Sequence, residues 1–211
     1  MPKAKPVVWV SDCMKGLQER DFVLPAFRAK EYERLTPIQN KHKRGETLTG
    51  DEVPTMALGH YPDHVRLPRP PHLFTVNTLL VVSDEFRAAC DGFDLGAGGF
   101  TPIALYWGDG TTRMDGDWFF LNLGCRKNAF APEESERGFR AFEGKAAGTF
   151  QLFVPKDNDI AVTSVALEGC ELWVDERILG GLFVSAPLVA SLKAAKVTRT
   201  MGARKCRVVG A

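Results

Sequence analysis

The clearest pattern of apolar and polar positions lies near the end of the chain, in residues 172–209. It predicts a strand, a turn at Gly180-Gly181, a second strand, a helix that begins after Ser185, and a closing strand. Ser185 suits the start of a helix because its hydroxyl can accept a hydrogen bond from a free amide of the first turn. The pattern therefore predicts a strand-helix-strand unit.

A shorter version of the same pattern occupies residues 79–107. Ser83 takes the cap position, and the apolar residues after it follow the i, i+3, i+4, i+7 spacing of one helical face. The cap and the outgoing strand are 20 residues apart here, from Ser83 to Ile103, and 21 apart in the later unit, from Ser185 to Cys206. This match has two explanations of equal weight: an old duplication, or a common local arrangement that arose twice.

Other apolar runs predict further strands. These runs are residues 7–10, 75–82, 118–123, 150–154 and 160–167. We therefore predict an α+β fold with mixed, largely antiparallel sheets, a few packed helices and two strand-helix-strand units. The chain is predicted to form a single domain over residues 1–211, and the alternative is two lobes, residues 1–72 and 73–211.

Residues 36–72 interrupt this order with six prolines and three glycines. Proline fixes its own backbone angle and restricts the residue before it, so we predict a long surface connection with at most one short helix after Thr49. Residues 126–148 are rich in charge and predict a solvated connection with a helical piece at 133–142. Long loops in compact domains are often functional, so residues 36–72 are where we expect a surface that faces a partner.

The overall charge and composition exclude several classes of protein. Apolar residues make up 45% of the chain and charged residues 25%, as in ordinary globular proteins. The net charge of +1 creates no overall field that would attract nucleic acid or anionic lipid. The apolar run at residues 7–10 is shorter than the roughly seven residues a secretory signal needs. We expect a cytoplasmic protein without nucleic-acid or membrane partners.

The five cysteines lie far apart and form no metal-ligand pair. Their odd number and wide spacing favour free thiols in a reducing compartment. We predict that Cys90 and Cys206, at apolar positions, are small core residues.

His60 and His64 have the spacing of two zinc ligands on a helix, with Asp63 as a further oxygen donor. The intervening Tyr61-Pro62 argues against a helix, so a solvated loop is the favoured interpretation. The sequence shows no phosphate-binding loop and no recognisable nucleophile with its base. We predict no enzymatic activity, no cofactor and no metal.

Two clusters of charged residues are better explained by local structure than by a binding site. Asp109, Asp115 and Asp117 stand beside glycines and are predicted to form turns. The basic cluster at residues 41–44 lacks interleaved aromatic residues, so a solvated loop is favoured over a nucleic-acid contact.

One block of the sequence contains VVSDEFRAACDGFD, FTPIAL and DGTTRMDGDWFFLNL, and a second block is LWVDERILGGLFVSAPLVASLKAAKVT. In these two blocks the chain resembles the Imm11 family, immunity proteins of bacterial polymorphic toxin systems. Together the blocks lie within residues 79–209, and residues 1–72 carry no such resemblance. The resemblance implies a protein that binds a cognate toxin, and it transfers no catalytic residue.

The resemblance and the residues together predict an immunity protein that neutralises a toxin encoded by a neighbouring gene, by covering its active site or substrate path. The alternatives are a small-molecule or nucleic-acid binder, or an enzyme with an unrecognised site. We expect a monomer or a homodimer. The predicted toxin-binding residues share one loop with mixed charge and stiffening prolines: His60, Tyr61, Asp63, His64, Arg66 and Arg69.

Overall fold

The computed structural model describes residues 6–15, 22–60, 69–143 and 147–210. In these residues the α-helices are α1 (Pro25–Arg28), α2 (Tyr32–Lys43), α3 (Asp84–Ala89) and α4 (Ala186–Ala194). The strands are β1 (Val8–Ser11), β2 (Phe22–Val23), β3 (Met56–Gly59), β4 (Leu73–Val76), β5 (Leu79–Ser83), β6 (Gly99–Pro102), β7 (Ala104–Tyr106), β8 (Trp118–Asn122), β9 (Arg126–Lys127), β10 (Phe139–Ala141), β11 (Phe150–Leu152), β12 (Ala161–Thr163), β13 (Leu172–Asp175), β14 (Ile178–Leu179), β15 (Leu182–Ser185) and β16 (Arg204–Val209).

The described strands form two larger and two smaller sheets. The larger ones have the orders β12-β16-β1-β15-β13-β9 and β4-β5-β8-β6, and the smaller ones β10-β11-β14 and β2-β3-β7. Most pairs are antiparallel, while four are parallel: β12 with β16, β3 with β7, β11 with β14, and β13 with β9. The predicted α+β class with mixed, largely antiparallel sheets is confirmed. Among the described helices, none is long and apolar enough to cross a membrane.

The structure contains two strand-helix-strand units with the same topology, but the outgoing strand of the first was predicted wrongly: it is β6, and the predicted run from Ile103 forms β7 in another sheet. Helix α3 connects β5 to β6, and β8 lies between these strands and is antiparallel to both. Helix α4 connects β15 to β16, and β1 occupies the corresponding middle position. A hairpin partner also precedes each unit, so β4-β5-β8-β6 corresponds strand for strand to β13-β15-β1-β16. The middle strand of each comes from outside the strand-helix-strand segment.

Both larger sheets are buried on both faces. In β5, Leu80 and Val82 face a central core that also contains Leu182 and Val184 of β15. Residues at alternate positions, such as Val81 and Phe183, enter two outer cores instead. This alternation follows from the pleat of a strand, and it explains why these strands are nearly continuously apolar.

The start of each unit's helix agrees with the prediction. The hydroxyl of Ser83 accepts a hydrogen bond from the Phe86 amide at 3.3 Å, and that of Ser185 accepts one from the Leu188 amide at 3.2 Å. The two helices meet in the central core, where the Ser191 hydroxyl donates to a carbonyl of α3 at 2.7 Å.

Residues 75–82 do not form the single strand that was predicted. They belong to a hairpin, β4-β5, that turns at Asn77 and Thr78, whose φ values are +48° and +69°. Two residues with positive φ make a turn whose twist matches that of the paired strands. The Asn77 side chain also accepts a hydrogen bond from the Leu24 amide at 2.8 Å, which joins the turn to β2.

The prediction for residues 36–72 was partly wrong. Helix α2 continues through Pro37 to Lys43, because packing of Leu35 and His42 against the sheet outweighs the loss of one helical hydrogen bond. The basic cluster is therefore a helix end and not a loop. The predicted short helix after Thr49 is present at Gly50–Glu52, and Thr49 and Glu52 form a capping box.

The prediction for residues 126–148 was also wrong in part. The described part contains β9, β10 and a short 3-10 helix at Pro132–Glu134. Ala129 and Phe130 are buried in an apolar cluster, and both their amides donate to the buried carboxylate of Asp175, at 2.7 and 2.8 Å. A polar side chain on a distant strand thus pairs the amides that burial of this segment removes from water.

The cysteine prediction holds for three residues. Cys13, Cys90 and Cys206 are free, and the last two are buried as expected. Cys125 and Cys170 form a disulfide, with Cα atoms 6.6 Å apart. The expectation that all five are free was therefore wrong: residues 45 apart in sequence meet where β9 runs beside β13.

Candidate interaction surface

The structure describes two of the six predicted toxin-binding residues, His60 and Arg69. Tyr61, Asp63, His64 and Arg66 lie outside the described residues. The zinc-ligand interpretation also involves His64 and Asp63, so it falls outside them as well. Among the described residues, no group of three His, Cys, Asp or Glu side chains could hold a metal ion.

His60 directly follows β3, at the point where this strand meets the loop between β7 and β8. The Arg28 guanidinium donates to the carbonyl of Gly59 and, at 3.1 Å, to that of Gly108. A Cβ atom on Gly59 would lie 2.8 Å from the Gly108 nitrogen, so only glycine permits this approach. Arg28 and Gly59 therefore hold the chain next to His60 against the β7-β8 loop.

One aromatic ring lies beside His60. The ring centroid of His60 lies 6.4 Å from that of Phe27, which makes an edge-to-face contact with Tyr32 at 5.5 Å. Tyr32 is 50% exposed, so half of its side chain is accessible to a partner. An amphipathic ring held at its edge can bind a partner with little loss of entropy.

Arg69 lies on a charged strip at the start of α3. Its guanidinium is 3.2 Å from Glu85, and the His72 imidazole is 3.6 Å from the same carboxylate. A hydrogen bond from Ser83, together with the charges of His72 and Arg69, lowers the pKa of Glu85 below its ordinary value. Glu85 is consequently ionised at neutral pH, and Arg69 has an exposed partner that a bound protein could displace.

A cavity of about 480 Å³ lies beside Arg69. Its described lining combines an apolar floor with charged groups: Arg69, Pro70, Trp107, Met114, Asp115 and Gly116. Trp107 is half-buried and packs against the core near β7, so its position is rigid. The cavity is large enough to receive a large side chain of a partner.

Both described ends of the predicted segment thus lie beside the loop at 107–117: Gly59, which precedes His60, closely approaches Gly108, and Arg69 lines a cavity together with Trp107. We call the surface formed by Tyr32, His60, Arg69, Trp107 and Asp115 the Trp107 surface. Tyrosine, tryptophan and arginine are the residues most enriched at protein-interface hot spots. The sequence did not single out Tyr32, and it favoured core packing for Trp107, because nothing in the local pattern distinguishes an accessible ring from a core ring.

The β7-β8 loop has its own internal support. The Asp109 carboxylate accepts hydrogen bonds from the amides of Thr111 and Thr112, both at 2.9 Å. This arrangement is an Asx turn, as predicted for Asp109. It stabilises the loop that presents Trp107.

Lys127 is a buried cation that sequence inspection did not single out. Its ammonium donates to the carbonyls of Cys170 and Ala166, at 2.8 and 3.3 Å, and lies 3.7 Å from the ring centroid of Trp173. Burial lowers the pKa of Lys127 to about 8, although nearby carboxylates oppose the shift. Because its protons are directed at two carbonyls and a ring, its role is structural.

No protein-family model matches the chain, and a comparison with curated proteins found no match.

Proposed function

We propose that this protein is an immunity protein that binds and neutralises a cognate bacterial toxin encoded by a neighbouring gene. The Trp107 surface is the observation that carries the proposal. It combines an exposed tyrosine with a half-buried tryptophan and an exposed arginine, the last two of which line one cavity. This combination suits the capture of a protein partner by a few anchoring side chains.

The mechanism is steric. A standard protein interface buries roughly 800 Å² on each partner, far more than this cavity alone provides. The toxin would therefore contact the rim as well, where Tyr32 and the Arg69-Glu85 pair are exposed. Coverage of the toxin's active site or substrate path prevents its activity, and the immunity protein supplies no reacting group.

Co-expression with the product of the neighbouring gene tests the proposal. A stable complex and rescue of growth are the expected results, and toxicity that persists in the presence of this protein would reject the proposal. The variant Tyr32→Ala with Arg69→Glu should weaken the complex by about 30-fold or more, which corresponds to the loss of at least about 2 kcal/mol at a hot spot.

A matched control is available at Phe153 and Arg140, in another part of the chain. Phe153 is 59% exposed and lies under the Arg140 guanidinium, 5.2 Å from its ring centroid. Phe153→Ala with Arg140→Glu removes the same kinds of group and the same charge. Toxin affinity should stay within about twofold of the wild type in this control. Equal loss in both variants would assign the effect to general destabilisation and not to the Trp107 surface.

A further inference from the structure

The segment at 193–207 concentrates positive charge that the chain as a whole lacks. It contains six basic residues and no acidic residue, in a chain whose net charge is +1. Five of the six side chains are exposed: Lys193, Lys196, Arg199, Arg204 and Lys205. We call these five residues the basic face.

Tertiary structure brings two parts of the basic face to one point. Strand β16 pairs with β1 so that Lys205 lies opposite Trp9, while Lys193 reaches the same ring from α4. The two ammonium nitrogens lie 3.9 Å (Lys193) and 5.7 Å (Lys205) from the ring centroid of Trp9. Attraction to the indole ring therefore keeps the two exposed ammonium groups close together despite their mutual repulsion.

The basic face is not neutralised by neighbouring carboxylates. None of the ion pairs between described residues includes any of its five side chains. Asp157 is close, but its carboxylate accepts from the Lys205 backbone amide at 2.9 Å. The dipole of α4 accounts for a cation in its last turn, such as Lys193, but not for Arg204 and Lys205 on a strand. The excess charge is thus available to a partner.

The geometry favours an acidic protein surface over a nucleic acid. Single-stranded nucleic acids bind through bases stacked on exposed aromatic rings, whereas two ammonium groups occupy the ring of Trp9. Domains that bind duplexes usually have an isoelectric point above about 9, well above the value of 7.6 for this chain. Carboxylates need only a local cluster of cations.

One end of the basic face lies near Arg69 of the Trp107 surface. The Thr200 hydroxyl, beside Arg199, donates to the carbonyl of Leu73 at 2.5 Å. Leu73 follows Arg69 by four residues, a reach of at most about 14 Å along the chain. The Arg199 end of the basic face is therefore within about one to two Debye lengths of Arg69 at 0.1 M salt, close enough to act on a partner bound there.

We infer that the basic face binds an acidic patch on the cognate toxin and accelerates its association. This inference rests on the proposed function, because the toxin is its partner. The cations need no direct contact with the toxin's active site: long-range attraction raises the rate of encounter, and the Trp107 surface supplies the close contacts.

The test measures the association rate with the neighbouring gene's product at 20 mM and 500 mM NaCl. Lys193→Glu with Lys205→Glu changes the net charge from +1 to −3, two units for each substitution. Arg44→Glu with Arg140→Glu makes the same change at exposed positions away from the basic face. The pair Lys193→Gln with Lys205→Gln removes the two charges without reversing them, and it serves as a second test if the reversal disturbs folding. Circular dichroism verifies the fold of each variant.

At 20 mM NaCl the basic-face reversal should slow association by about tenfold or more, the glutamine pair by less, and the control pair by no more than about twofold. The difference should vanish at 500 mM NaCl because salt screens it. A basic-face reversal that associates as fast as the control overturns this inference alone. So does a result in which only binding to a 20-base-pair DNA duplex depends on the basic face. Absence of any complex with the wild type overturns the proposed function and this inference with it.

Discussion

Acidification from pH 7 to pH 5 should destabilise this protein through His42. The imidazole belongs to the last turn of α2 and is completely buried, with its ring centroid 5.4 Å from that of Phe120. Its Nε2 atom accepts a hydrogen bond from the Leu80 amide at 3.2 Å, which requires an unprotonated Nε2. Burial, assisted by the charge of Lys43, lowers the pKa of His42 to about 3.

The size of this loss of stability follows from the difference between the pKa of His42 in the folded state and in the unfolded state. In the unfolded chain the pKa of His42 is close to 6.5. Between pH 7 and pH 5 the unfolded state therefore binds a proton at His42, whereas the folded state does not. The stabilisation is complete above pH 6.5 and is lost progressively as the pH falls from 6.5 towards 3. Between pH 7 and pH 5 the loss is about 2 kcal/mol, and it is nearly the same for any folded-state pKa below about 4.

Urea denaturation at pH 7 and pH 5 measures this loss, with His42→Gln as the test variant. Glutamine retains an oxygen that can accept from the Leu80 amide, but it does not titrate. The wild type should lose about 2 kcal/mol more than His42→Gln over this interval. His72→Gln is the control, because the His72 side chain is 37% exposed, and it should behave as the wild type does. A wild-type loss equal to that of His42→Gln, within about 0.5 kcal/mol, would refute the argument.

Three other predictions concern the fold. A Cβ on Gly98 would lie 2.3 Å from the Asn122 carbonyl oxygen, so Gly98→Ala should lower the free energy of unfolding by about 3 kcal/mol or more in the same urea titration. A Cβ on Gly99 would meet open space, so Gly99→Ala should change that free energy by no more than about 1 kcal/mol. The disulfide closes a separation of 45 residues, so dithiothreitol should lower the stability of the wild type by about 4 kcal/mol and leave Cys170→Ala unchanged; equal responses would contradict a disulfide contribution. Loss of the α4 cap in Ser185→Ala should cost about 1 kcal/mol, against a few tenths for Ser185→Gly, and the reverse order would reject capping by the hydroxyl.

Local signals explain which elements the sequence predicted well. The helices after Ser83 and Ser185 were found because a capping hydroxyl and the first turn lie within three residues of each other. The β8 and β13 runs were found because a strand buried on both faces is continuously apolar. The turn at Asn77 and Thr78 was missed, because it interrupts an apolar run without glycine or proline.

The candidate surface could be predicted only in part. His60 and Arg69 stood out as polar residues in a proline-rich loop, whereas Tyr32 and Trp107 belong to other segments and gave no signal. Their proximity depends on a parallel pairing of β3 with β7, in which strands far apart in the chain come into register. The basic face likewise depends on the pairing of β16 with β1.

The sequence by itself therefore determined the α+β class, the two capped helices and the apolar strands, because each depends on interactions between residues a few positions apart. Tertiary structure alone decided where β1 is inserted, that α2 continues through Pro37, and that Cys125 meets Cys170. These outcomes depend on the free energy of burying apolar groups supplied by distant segments, a quantity that no short window of sequence contains.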